Sequence, residues 1–143
     1  MNATPQTYVY PIQVRFCDTD ALGHINNAVY LSYFEASRVD WLNLLQERLP
    51  ELKSEVLPII LARAEIDFLQ QAYLHDRIEV HASIAHIGKT SFQQVYELRS
   101  PDRGVLARGR AVLVWFDIKS NQKRDIPPAA RSFMEEYFLN ERE

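Results

Sequence analysis

Apolar and polar residues alternate from Tyr8 to Phe16: Tyr8, Tyr10, Ile12, Val14 and Phe16 share one parity, while Val9, Pro11, Gln13 and Arg15 share the other. A period of two predicts a strand with one buried face. Pro11 has no N–H to give a neighbour, which puts this strand at a sheet edge or a break. From Ala28 to Leu45 the period lengthens. Tyr30, Tyr33, Phe34, Ser37, Trp41, Leu44 and Leu45 recur at steps of three and four, with Ser32, Glu35, Asn43 and Gln46 opposite, so a helix of about five turns is expected. Leu31, Val39 and Leu42 widen its apolar surface until it needs cover on several sides, as a curved sheet would provide. Asn26 or Asn27 offers the N-cap oxygen, and Pro50 closes the segment.

Four further segments are long and rich in β-branched or aromatic residues: Ile59–Leu69, Ile78–Ile87, Ser91–Arg99 and Val105–Phe116. Turn residues separate them at Tyr73–Asp76, Gly88-Lys89 and Pro101–Gly104, which reads as an antiparallel meander. His81 and His86 differ in parity on one strand, so they are expected on opposite faces. After Pro127-Pro128, helical spacing returns in Ala130, Phe133, Met134, Tyr137 and Phe138, giving a short terminal helix. The resulting order is strand, long helix, four strands, short helix. It implies an α+β fold in which a five-stranded sheet wraps one helix, and the exposed sheet edges favour pairing with a second copy.

Composition narrows the function. The 143 residues suit one domain spanning 1–143, and a hydrophobic fraction of 47% with 24% charged residues is that of a folded chain. Sixteen basic against nineteen acidic side chains leave a net charge of −3, so no positive field gathers nucleic acid or an anionic membrane. Cys17 is the sole cysteine and cannot form an internal disulfide. The start Met1–Thr7 has neither the basic residues nor the apolar run of a signal peptide, and no stretch approaches a membrane span, so a soluble cytoplasmic protein is expected. His24, His75, His81 and His86 are scattered without metal-ligand spacing; no metal and no bound cofactor is expected.

Chemistry concentrates between the first strand and the long helix. Within Phe16–Tyr30 stand Asp18, Asp20, Gly23, His24, Asn26 and Asn27, all at a helix entrance. Such an entrance presents unpaired N–H groups and about half a positive charge, which together polarise a carbonyl or hold an oxyanion. Gly23 lets the chain turn sharply or a ligand approach.

The string D-T-D-A-L-G-H-I-N-N-A-V-Y-L-S-Y-F-E-A-S-R resembles the signature of the hot-dog-fold acyl-CoA thioesterases of the 4-hydroxybenzoyl-CoA thioesterase-like family. The resemblance covers roughly Val14–Trp41, and the later strand order agrees with it. It implies a sheet curled around the helix, a homodimer or dimer of dimers (a homotetramer) with sites shared between subunits, and an acyl-CoA or acyl-carrier thioester as substrate, with coenzyme A entering only as part of it. Asp20 matches the catalytic carboxylate, acting as nucleophile or general base, and Asn27 matches the backbone N–H donor. Gly23, His24 and Tyr30 match the pocket, and Gly88-Lys89-Thr90-Ser91 resembles the turn that meets the neighbouring subunit's site. Of the basic residues Arg63, Lys89, Arg103, Arg108 and Arg110, Lys89 gains most as a phosphate partner. Two other readings share the fold: a non-catalytic acyl-thioester or acyl-carrier binding protein, and a hydratase or dehydratase acting on the acyl chain.

Overall fold

The computed structural model describes residues 5–52 and 59–139. The expectation for Met1–Thr4 therefore lies outside the described residues. Strand β1 (Tyr8–Ile12) leads through a single 3-10 turn at Phe16–Asp18 to helix α1 (Val29–Arg48). Four long strands follow, β2 (Ile59–Phe68), β3 (Ile78–Ile87), β4 (Ser91–Ser100) and β5 (Gly104–Asp117), then a two-residue β6 (Gln122–Lys123) and helix α2 (Pro128–Glu135). All pairings between strands are antiparallel, in the order β1-β3-β4-β5-β2, with β6 on β5. This is the curled sheet around a long helix that the resemblance implies.

Three details differ from the pattern reading. The first strand stops at Ile12, paired with Ile78, because β3 offers no residue beyond; Phe16 is thereby 82% exposed instead of facing the core. Pro11 does sit on an edge strand. Only β3, β4 and β5 form a meander, since β2 joins the far side of β5 and the chain must cross over to reach β3. Finally, a bulge between Ile84 and His86 resets the alternation, so that His81 opposite Glu97 and His86 opposite Gln93 lie on one face, not two.

The core is built on α1. Trp41, fully buried, meets Phe92, Phe133 and Tyr137, so β4 and α2 close on the same ring. Phe34 stacks on Tyr96 at 4.8 Å and lies against Gly109, where a Cβ would come within 2.5 Å of the phenyl ring. Glycine at 109 is what lets the helix approach the sheet so closely. Cover is uneven, however. The helix packs on β3 and β1, while the inward residues Leu61 and Phe68 of β2 remain 44% and 46% exposed, and Leu31 and Val39 of α1 are uncovered in a single chain. The full jacket expected around α1 is absent on that side.

Candidate active site

The loop between β1 and α1 is fixed at one end and open at the other. Asp18 is 2% exposed, and its carboxylate accepts the Arg15 N–H at 2.9 Å, the Arg15 guanidinium at 3.1 Å and the Tyr33 hydroxyl at 2.9 Å. Burial alone would raise its pKa, but these donors outweigh burial and hold it below the usual carboxylate range. Burial, followed by the same Asp18 contact, pushes the Tyr33 phenol well up. The Asp18 carbonyl also accepts the Asn26 N–H at 2.8 Å, which ties the two ends of the loop together.

Between these ends, Thr19 and Ile25 bridge, and Ala21-Leu22-Gly23 makes a three-residue hairpin loop. Gly23 has φ +81°, the left-handed value that such loops demand at their last residue. Asp20 is exposed and aligned by this loop: its N–H donates to the His24 carbonyl at 2.8 Å, while Oδ1 accepts the N–H groups of Leu22 at 2.9 Å and His24 at 3.2 Å. Among the described residues nothing bonds Oδ2. One carboxylate oxygen thus holds the side chain in place and the other is available.

The helix entrance is equally specific. The N-cap is Ala28, which has no side chain to cap with, so neither asparagine holds the position expected of it; Asn26 braces the turn just outside the helix, its Oδ1 accepting the Ala28 N–H at 3.0 Å and its carbonyl the Val29 N–H at 2.9 Å. The Asn27 carbonyl takes the Tyr30 N–H at 3.4 Å. The Asn27 N–H itself donates to no described group, which leaves one free donor at the positive end of a five-turn helix.

These groups share a cavity of about 470 Å³ lined by Asp20, His24, Asn26, Asn27, Tyr30 and Phe68, with Leu69, Gln70 and Gln71 completing the wall. Tyr30 is buried against Phe68 at 5.0 Å, and burial raises its phenol, so it offers a neutral hydroxyl at neutral pH. The His24 ring stands edge-on to Tyr73 at 5.2 Å. Segment 68–71 was missed in the sequence pattern; its signal was the polar pair Gln70-Gln71 interrupting an apolar strand end. A larger concavity of about 670 Å³ lies on the outer sheet face among His81, Glu97 and Arg108, but it contains no free helix-end donor.

Lys89, Thr90 and Ser91 do not join this cavity within one chain. Phe68 pairs with Ala107, whereas Ser91 pairs with Val114, seven residues further along β5. At about 3.3 Å per residue the separation is roughly 23 Å. The turn is firmly held there by Gly88 N–H to the Ser91 carbonyl at 2.7 Å and by Arg131 to the Gly88 carbonyl at 2.6 Å. Arg63, Arg103 and Arg108 are engaged by Glu65, Asp76 and Glu97, and Lys89 makes no ion pair among the described residues. Among those residues no group of three or more metal-ligating side chains occurs, and no helix is long and apolar enough to cross a membrane.

Comparison with known proteins agrees with the fold. The chain is 23% identical over 127 residues to the acyl-CoA thioester hydrolase YbgC of Escherichia coli, covering 89% of this chain and 93% of that one. A predicted thioesterase from Bacillus stearothermophilus superposes with a TM-score of 0.83 at 28% identity, over 94% of this chain and 98% of that one. A Thermus thermophilus thioesterase, solved with coenzyme A and Zn, gives a TM-score of 0.74 at 30% identity, over 89% of this chain and 91% of that one. The thioesterase-like superfamily profile matches residues 14–134, and with the curled sheet and its enclosed helix this establishes that the chain belongs to that superfamily.

Proposed function

We propose that this protein hydrolyses acyl-CoA thioesters, releasing a carboxylic acid and free coenzyme A. The observation that carries the reading is one cavity lined by both Asp20, whose Oδ2 accepts no hydrogen bond among the described residues, and Asn27, whose N–H donates none there. A thioester carbonyl directed at that N–H gains a preorganised donor for its developing oxyanion, and removal of such a donor costs about 2.7–4 kcal/mol of barrier. Asp20 Oδ2 then acts in one of two ways. It attacks the carbonyl carbon, expelling the thiolate and leaving a mixed anhydride for water to cleave, or it takes a proton from a water that attacks directly. No step calls on a resident metal or cofactor. Relatives acting on acyl-CoA support this substrate class: besides YbgC, the chain is similar to a 1,4-dihydroxy-2-naphthoyl-CoA hydrolase of Synechococcus elongatus, at 26% identity over 132 residues.

The working unit is a homodimer. Among the described residues strand β2 pairs only with β5, so antiparallel pairing of two β2 strands extends the sheet and removes its longest free edge. In that arrangement the Ile59 end of one β2 lies beside the Phe68 end of the other. The Lys89–Ser91 turn of one protomer then approaches the Asp20 end of its partner, accounting for a turn that stands so far from the site of its own chain. Thiol release from a panel of acyl-CoAs tests the activity, with wild type and Asp20→Ala run together. Release that is unchanged in Asp20→Ala overturns the role of this carboxylate, and absence of release from every substrate overturns the function.

A further inference from the structure

The segment that faces the catalytic hairpin is fastened from elsewhere in the fold. Residues 70–76 run between β2 and β3 and belong to neither strand, so their main-chain groups need partners other than a sheet ladder. The turn between β4 and β5 supplies them through Arg103. Its Nη1 donates to the Gln71 carbonyl at 2.9 Å, its Nη2 donates to the Asp76 carboxylate, and its Cζ lies 5.4 Å from the centre of the Tyr73 ring. The same Asp76 oxygen accepts the Tyr73 N–H at 2.7 Å. Gln70 adds two bonds to this turn, its Nε2 donating to the Arg103 carbonyl at 3.1 Å and the Val105 carbonyl at 3.0 Å. One planar cation thus secures positions 71, 73 and 76 together. Its forked donors and flat face do what a single ammonium on a flexible stem does not.

The fastened segment in turn braces the hairpin that carries Asp20. The Ala72 carbonyl, next to the first secured position, accepts the Ile25 N–H at 2.8 Å. Tyr73 bridges to His24 through the main chain, and its ring stands between the Arg103 guanidinium and the His24 ring. Asp20 leans on His24 twice, giving its N–H to the His24 carbonyl at 2.8 Å and accepting the His24 N–H on Oδ1 at 3.2 Å. A continuous set of contacts therefore leads from Arg103 to the carboxylate. Among the described residues the cavity wall does not include Arg103, so its influence on Asp20 runs through that set.

We propose that Arg103 is a positioning residue for Asp20: it locks residues 71–76, these lock His24 and Ile25, and the carboxylate keeps its aim at the cavity. The inference rests on the hydrolytic role given to Asp20 above and names a distant residue on which that role depends. A misplacement of about 1 Å at a reacting group costs up to about 100-fold in rate, so a brace of this kind is visible in turnover.

A double-mutant cycle tests it, with Arg103→Ala made in the wild-type and Asp20→Asn proteins. In the wild-type background kcat for thiol release from acyl-CoA should fall by about tenfold or more. In the Asp20→Asn background the same change should alter kcat by less than about twofold, because no carboxylate is left to aim. Amide hydrogen exchange, read residue by residue by NMR, supplies a measurement independent of turnover. Exchange at Ile25 should accelerate in Arg103→Ala at least about tenfold more than exchange at Trp41 and Leu45 in α1, since only the hairpin loses its brace. Should Arg103→Ala fail to fold by circular dichroism, Arg103→Lys carries the same two measurements: it keeps a charge for Asp76 but not the forked hold on Gln71. An unchanged kcat, equal losses of kcat in both backgrounds, or equal acceleration at Ile25 and in α1 overturns the positioning role. A wild-type protein that releases no thiol overturns the hydrolytic reading alone, and exchange at Ile25 then decides whether Arg103 braces the hairpin.

Discussion

Asp18 and Asp20 stand two residues apart in one loop and are chemically identical, yet the fold gives them opposite surroundings. Asp18 is buried beneath three donors, and its own carbonyl ties the loop to Asn26. Asp20 lies at a cavity, with one oxygen fastened by two N–H groups and the other unengaged. The first carboxylate is anchored by its environment, and the second is aimed by a turn the first helps to hold. Acidic residues at adjacent same-parity positions therefore divide into support and chemistry. The difference is visible in hydrogen-bond partners, not in residue type.

The sharpest way to break this contrast is to remove the unengaged oxygen. Asp20→Asn should lower the turnover of acyl-CoA by about 1,000-fold or more, measured by thiol release, with a urea midpoint near that of wild type. Asp18→Ala should do the reverse and act mainly on stability. It leaves the buried Tyr33 hydroxyl and Arg15 N–H without their acceptor, and about 3 kcal/mol of folding free energy should be lost in urea titration. The pH dependence carries a sign. Because the folded pKa of Asp18 is lowered, its stabilisation is present above the unfolded value of about 4 and vanishes as pH falls through the folded one. The deficit of Asp18→Ala relative to wild type should accordingly shrink as urea titrations move from pH 7 to below pH 4.

Smaller effects sharpen the same distinction. Gly23→Ala forces a side chain into φ +81° with open space around it, so strain rather than collision is expected to cost about 1 kcal/mol, together with loss of turnover as Asp20 loses alignment. Asn27→Ala should be the mildest. The proposed donor is backbone, so kcat should fall by less than about tenfold, far less than for Asp20→Asn. An Asn27→Ala loss as large as that of Asp20→Asn would move the chemistry from the main chain to the amide side chain.

Alternation and helical spacing determined most of the local structure. Helix α1 was legible because its buried residues Tyr30, Tyr33, Phe34, Ser37, Trp41 and Leu45 carry the 3.6-residue period that burial of one face requires. Strand β3 runs from Ile78 to Ile87, the bounds its pattern predicts, and the resemblance carried by the Asp18–Arg38 string pointed to the loop that lines the cavity. Pattern could not show that Phe16 leaves the sheet, since only the length of β3 decides where β1 ends. Nor could it foresee the bulge that returns His86 to the face of His81, because one unpaired residue resets every later side chain. The resemblance already singled out Asp20, but only the tertiary structure showed Asp18 buried beneath the Tyr33 hydroxyl, put Ala28 at the N-cap, and placed Lys89–Ser91 at the far end of β5. It also buried Arg38 against the Tyr96 hydroxyl, 58 residues away in sequence. Those outcomes depend on which chain segments meet in space, and residues distant in sequence supply the partners that set a side chain's charge, direction and access to a substrate.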